Sequence, residues 1–337
     1  MIEISNYDMQ VYNEIRDFLP ERIIDCHTHV FLNEHFLSRE VTRGQEWAYR
    51  VAAQCSIEEL ISFYKAFFPD KEVIPVVFGF PINTDYVQNN AYVRQESEKR
   101  NYPRLYNVHP DMAPDELVEA FNCGAVGIKP YLSNAPGYLP ENEIRIFDFL
   151  THEHLAVCNR HKAAVMLHIP RSGRLRDPVN IAQILEIEQK YPDAQIILAH
   201  IGRAYAPDDI GDAFKQLAKT QSVMFDFSAN TFDTAIKAAL DTVGAKRVLF
   251  GTDLPIAIMR MRRIVEAGSY INIIPPGLYG DINGVAHMRE ASPGEPISFF
   301  IYEIIRAAMR AMSGASRQDI DDVFYHNAKR IFRWKEV

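Results

Sequence analysis

The chain has 337 residues, of which 47% are hydrophobic and 24% charged, and a formal net charge of −8. Those fractions belong to ordinary globular proteins, and the acidic balance argues against a general binder of nucleic acid or of an anionic membrane, while a small anionic substrate remains compatible with a locally basic site. The four cysteines, Cys26, Cys55, Cys123 and Cys158, form no Cys-x-x-Cys and read as reduced thiols of a cytoplasmic protein; Met1 to Asp8 show no signal-peptide pattern, and no apolar run reaches the ~18 residues of a membrane span.

Residues 8–19 read as a leading helix ended by Pro20. A strand over 21–28 follows, running into Asp25-Cys26-His27-Thr28-His29. Side chains alternate along a strand, so His27 and His29 are expected on one face, where two imidazoles make half of a metal site. Residues 31–71, with Trp47, Tyr49, Phe63, Tyr64, Phe67 and Phe68, form a long insertion that suggests a helical lid or pocket wall. Strands are then expected at 72–80, 105–108, 125–130, 163–168, 195–200, 223–227 and 247–253. Helices are expected between them at 83–100, 114–122, 143–160, 180–190, 209–219 and 231–240. The segment 266–296 is rich in Gly and Pro and reads as loop, and helices at 297–312, 317–324 and 327–334 close the chain.

Eight near-continuous apolar runs alternating with helices predict an α/β chain folded as a (β/α)8 barrel. It would be one domain over 1–337, with an inserted helical segment after the first strand and extra C-terminal helices. An open doubly wound sheet is the rival, and the absence of Gly-x-Gly-x-x-Gly after the first strand weighs against it. Barrel active sites form at the C-terminal ends of the strands. Those ends carry His27 and His29, Lys129, His168, His200 and Asp253. Taken singly, each is more often a cap or a satisfied core group; together they point to a site.

These residues make the chain resemble the amidohydrolase superfamily. The branch is the amidohydrolase 2 group of aminocarboxymuconate-semialdehyde decarboxylase, γ-resorcylate decarboxylase and pyrone-dicarboxylate lactonase. The resemblance is carried by Asp25-x-His27-x-His29, Gly127-Ile128-Lys129, Leu167-His168, Leu198-Ala199-His200-Ile201-Gly202-Arg203, Gly251-Thr252-Asp253-Leu254-Pro255 and Asn327-Ala328-Lys329-Arg330-Ile331-Phe332. It implies that His27, His29, His168 and Asp253 bind one divalent metal, with Zn²⁺ favoured and Mn²⁺ an alternative. Asp253 and His200 would be the acid–base groups. In binuclear relatives a carboxylated lysine at the position of Lys129 bridges two metals and His200 becomes a ligand; one metal is favoured here, leaving Lys129 to hold substrate.

Arg171, Arg174 and Arg176 follow His168, and Arg203 follows His200; guanidinium grips carboxylate in bidentate fashion, so Arg171 and Arg203, with Tyr131, are the expected substrate contacts. Asp226 is a further, weaker site candidate. The expected activity is hydrolysis of a small carboxylate-bearing ester, lactone or amide through metal-activated water. Non-oxidative decarboxylation of a small, possibly aromatic, acid is the runner-up. A non-catalytic barrel is the reading from another class. Small anions are the expected partners, without nucleic acid or membrane, and a homodimer is expected by resemblance.

Overall fold

The computed structural model describes residues 2–38 and 46–336; within the helix Glu46–Val51 the side chains of Trp47 and Tyr49, both expected in the pocket wall, lie outside the described residues. The strands of the barrel are β1 (Arg22–His29), β2 (Glu72–Phe78), β3 (Leu105–Asn107), β4 (Gly127–Lys129), β5 (Ala164–Leu167), β6 (Gln195–Leu198), β7 (Met224–Asp226) and β8 (Val248–Leu249). All pair in parallel. They form two ladders, β1–β2 and β3 through β8, and do not close into one continuous ring. Single bridges cross both seams: Val77 to Arg104 on one side, Thr28 to Leu254 on the other.

The apolar runs sort into two layers, as strands buried on both faces require. Ile24, Cys26, Ile74, Val76, Phe78, Leu105, Ala164, Met166, Ile197, Met224 and Leu249 form one cluster, which the C-terminal residues Tyr325, Ala328, Ile331 and Phe332 join. Residues of opposite parity, such as Ile23, Val77, Ile128, Val165, Ile196 and Val248, pack outward against the helices.

Several elements differ from expectation. The helix expected over 143–160 begins at His152, capped by Thr151, and Glu141–Asp148 contains separate 3₁₀ turns. The helix expected over 209–219 is the short Ala213–Leu217. The segment 266–296 is not only loop. With Arg262–Glu266 (β9), Ser269–Ile274 (β10) and Met288–Glu290 (β11), it forms a three-stranded sheet. The β9–β10 hairpin turns through Ala267 and Gly268, both at positive φ, the backbone that matches the twist of paired strands. In the insertion after β1, the helix Ile57–Phe67 buries Ile57, Leu60, Tyr64 and Phe67 in the core. Among the described residues no helix is long and apolar enough to cross a membrane.

Candidate metal centre

Strand β1 carries a bulge. Asp25 pairs with Pro75 and Thr28 with Val77, so Cys26 and His27 together oppose one residue of β2. Bulges break the two-residue alternation and re-aim side chains. Here Cys26 stays in the apolar layer while His27 and His29 both line a cavity of about 450 Å³ at the strand ends. Asp253 arrives from the segment after β8 on a left-handed backbone, φ 67.

Asp253 Oδ1 lies 3.4 Å from His27 Nε2 and 3.3 Å from His29 Nε2. The other ring nitrogens are committed: His27 Nδ1–H donates to Asp226 Oδ2 at 3.1 Å, and His29 Nδ1–H to the Gly79 carbonyl at 3.0 Å. Fixing Nδ1 as donor leaves each Nε2 as the lone-pair nitrogen facing Asp253 Oδ1, the arrangement found behind metal-bound histidines. His200 Nδ1–H donates to the Ser228 carbonyl at 2.9 Å, so its Nε2 is free as well. Ligand atoms of His27, His200 and Asp253 lie within 4.8 Å of one another. His168 stands beside them, its ring 5.3 Å from that of His200, and its buried Nδ1 has no partner among the described residues. Buried polar atoms are nearly always satisfied, so this unpartnered nitrogen, together with the three-imidazole, one-carboxylate donor set, fits a divalent metal.

Protonation states agree with that. Burial, then the Lys129 charge, push His27 down to about 3. Burial and the Arg203 charge hold His168 well below its ordinary value, and burial lowers His200. Neutral imidazole is the form that binds a metal. Burial opposes ionisation of Asp253, but the His29 hydrogen bond and the neighbouring imidazoles bring it down to about 2. Asp226 is fully buried, yet His27, His200 and Ser228 keep it below the usual carboxylate range. Lys129 is buried 3.4 Å from His27 Nε2; desolvation lowers it to about 8, with Asp226 and Asp253 restoring part of its charge.

His200 begins an unusual turn. His200, Ile201, Gly202 and Arg203 all have positive φ, between 52° and 63°. This is one turn of left-handed helix where an apolar strand end was expected, and it swings the His200 ring into the cavity. A Cβ at Gly202 would sit 2.6 Å from Leu175 Cδ1, so glycine is needed there.

The cavity gathers His27, His29, Lys129, Tyr131, His168, His200, Tyr205 and Asp253. It does not gather the arginines. Arg171 Nε donates to Asp177 at 2.9 Å, Arg174 pairs with Asp209 at 2.8 Å, and Arg203 Nη1 donates to the Arg171 carbonyl. The walls are Phe31, Phe36, Ala52, Phe80, Ile82 and Ile256 instead. Sequence reasoning passed over Ser228 and Gly79. Ser228 had one signal, its place two residues after Asp226 at the end of an apolar strand; Gly79 acts through its backbone and had none.

The sequence profile of the Amidohydrolase family matches residues 24–334. The chain belongs to this family. No curated protein matches it. Solved structures similar to this amidohydrolase include a probable 2-pyrone-4,6-dicarboxylic acid hydrolase from Acinetobacter baumannii, with 14% identity, 92% of this chain and 99% of that chain covered, and a TM-score of 0.57. An amidohydrolase from Burkholderia multivorans, solved with bound zinc, has 12% identity, 93% and 99% coverage and a TM-score of 0.59. A 2,6-dihydroxybenzoate decarboxylase from Rhizobium has 14% identity, 93% and 99% coverage and a TM-score of 0.55. At such identity these likenesses bear on the fold, which is that of the family's α/β barrels.

Proposed function

We propose that this amidohydrolase is a zinc-dependent hydrolase of a small ester, lactone or amide that bears a carboxylate. The observation that carries the reading is the convergence of His27 Nε2 and His29 Nε2 on Asp253 Oδ1, with both Nδ1 atoms locked by Asp226 and Gly79. His27, His29, His168 and Asp253 would hold the ion, with His200 close enough to serve as a further ligand. When bound, such an ion polarises a carbonyl and lowers the pKa of water.

The protein's own groups supply the rest. Asp253, ionised at neutral pH, accepts the proton of the attacking water. His200, its Nδ1 held by the Ser228 carbonyl, presents Nε2 to pass a proton to the leaving group. Lys129, the cavity's one lining Lys or Arg among the described residues, holds the substrate carboxylate as a point charge. The aromatic and aliphatic walls, part of them from the insertion at 31–71, take the substrate's apolar body and exclude water. Because no arginine among the described residues lines the cavity, the anionic group is gripped by Lys129 rather than by a clamp of Arg171 and Arg203.

One observation favours a second reading. A single cation beneath an apolar wall also suits a ring-bearing monoacid, which His200 would protonate at carbon as CO2 leaves. Elemental mass spectrometry of the purified chain, followed by a panel of lactones, amides and aromatic acids in ¹⁸O-water, tests both. About one zinc per chain and ¹⁸O in a ring-opened product support hydrolysis. CO2 release without ¹⁸O incorporation replaces it with decarboxylation. No metal bound or regained on adding zinc or manganese refutes both mechanisms.

A further inference from the structure

The seam between β8 and β1 is one of the two places where the ladders fail to join, and it is also where the candidate ligands meet. Asp25 lies wholly buried at this seam, beside the bulge in β1, with no cationic partner among the described residues. Its Oδ1 accepts from the backbone N–H of His27 at 3.2 Å and of Thr252 at 2.9 Å. Its Oδ2 accepts from Thr252 Oγ1 at 2.6 Å and from Tyr64 O–H at 2.8 Å. One carboxylate therefore ties the bulged strand to the segment that carries Asp253, and adds a link to the helix Ile57–Phe67.

The bonds around it share that geometry. Asp253 N donates to the His27 carbonyl at 2.9 Å, and His29 N to the Leu254 carbonyl at 2.8 Å. Leu254 N donates in turn to Thr252 Oγ1 at 3.0 Å. Every ligand-bearing backbone at the seam is thus one to three hydrogen bonds from Asp25. A carboxyl group held only by neutral donors in a dry interior is costly compared with an apolar side chain, so packing alone gives no reason for an aspartate here.

We propose that Asp25 is a positioning residue of the metal centre: by pinning Thr252 to the bulge at His27 it fixes the separation between the His27/His29 pair and Asp253. This rests on reading those three side chains as metal ligands. The full-length chain, stripped of metal, would be compared with Asp25→Asn, Thr252→Val and Tyr64→Phe. Zinc affinity would be measured by competition with a chromophoric chelator, site geometry by the visible spectrum of the Co²⁺-loaded chain, and fold by the melting temperature of the metal-free chain.

Asn at 25 keeps an acceptor for the two N–H groups but sets an NH2 against the Thr252 and Tyr64 hydroxyls. Asp25→Asn is expected to weaken zinc binding at least tenfold, the scale of losses behind metal ligands, and to change the Co²⁺ spectrum. Thr252→Val should do the same, and carries the test if Asp25→Asn does not fold. Tyr64→Phe cuts the link to the helix but not the strand-to-strand tie, and should leave affinity within threefold even if the metal-free chain melts earlier. A folded Asp25→Asn or Thr252→Val chain with wild-type affinity and spectrum overturns the proposal. So does Tyr64→Phe losing affinity in step with melting temperature, which would make the effect one of stability alone. A wild-type chain that takes up no zinc is a separate failure, refuting the metal-centre reading on which the proposal stands.

Discussion

Asp226→Asn offers a test that needs no knowledge of the substrate. Asp226 Oδ2 accepts from His27 Nδ1–H at 3.1 Å, while Oδ1 accepts from the N–H groups of His200 at 3.1 Å and Ser228 at 2.9 Å and from the Ser228 hydroxyl. An asparagine can keep its carbonyl toward His200 and Ser228. Its NH2 then faces His27 Nδ1, donor against donor. The imidazole can escape by moving its proton to Nε2, which buries the lone pair a metal needs. Loss of such a carboxylate behind a metal-bound histidine typically costs ~10–100-fold in affinity, or about 1.4–2.8 kcal/mol of binding free energy. Zinc affinity would be read by chelator competition on chains whose circular dichroism and metal-free melting match. The expected result is a weaker zinc complex with the fold intact. An Asp226→Asn chain that binds zinc as tightly as wild type would refute the argument that Asp226 sets the His27 tautomer.

Four further outcomes are expected. Asp253→Asn should abolish both activity and the rise in melting temperature on adding zinc, since a ligand that binds only the native state stabilises it by mass action; a scan with and without metal checks this. Gly251→Ala should lower zinc affinity and cost about 1–3 kcal/mol of stability in urea unfolding, because the new Cβ would lie 2.8 Å from His27 Cβ. Phe250→Ala, which removes a ring stacked 4.8 Å from Phe324 in the core, should cost about 3–5 kcal/mol in the same assay.

The last concerns pH. Burial opposes ionisation of Asp8, but its bonds to Arg260, Ser5 and Ser298 hold its carboxyl below the ordinary value. A carboxyl lowered on folding stabilises the protein above its unfolded pKa and loses that contribution as pH falls through the folded one. Asp8→Asn should therefore melt earlier than wild type at pH 7, with the gap shrinking toward pH 3. A gap that persists unchanged would show that Asp8 contributes packing rather than charge.

The barrel was legible because parallel strands buried on both faces leave uninterrupted apolar runs, and five of the eight runs here end in or beside a residue that could not stay in an apolar layer. His27, His29, Lys129, His168, His200 and Asp253 were found that way, and all six line the cavity. What escaped depends on contacts distant in the chain or on backbone angles. The bulge that lets Cys26 and His27 break alternation is a property of pairing with β2. Arg171 and Arg174 look like free cations until Asp177 and Asp209 fold against them. The β9–β11 sheet was obscured by the same Gly and Pro residues that make its turns.

The left-handed turn at His200–Arg203 has a consequence for how far this protein can be stabilised. L-residues visit that conformation at roughly 1–2 kcal/mol each, and three of the four residues here are not glycine. The strain is thus comparable to a sizeable part of the ~5–15 kcal/mol that separates a folded domain from its unfolded chain. Asn230 opposes it, donating to the carbonyls of His200 and Ala204 at the two ends of the turn. Substituting glycine for Ile201 would relax the backbone, but Ile201 is fully buried in the core, and losing its side chain would cost about 2–5 kcal/mol, more than the relief. The turn is thus held by its own side chains: the backbone cannot be relaxed at Ile201 without opening the core, so heat tolerance has to be gained elsewhere in the chain.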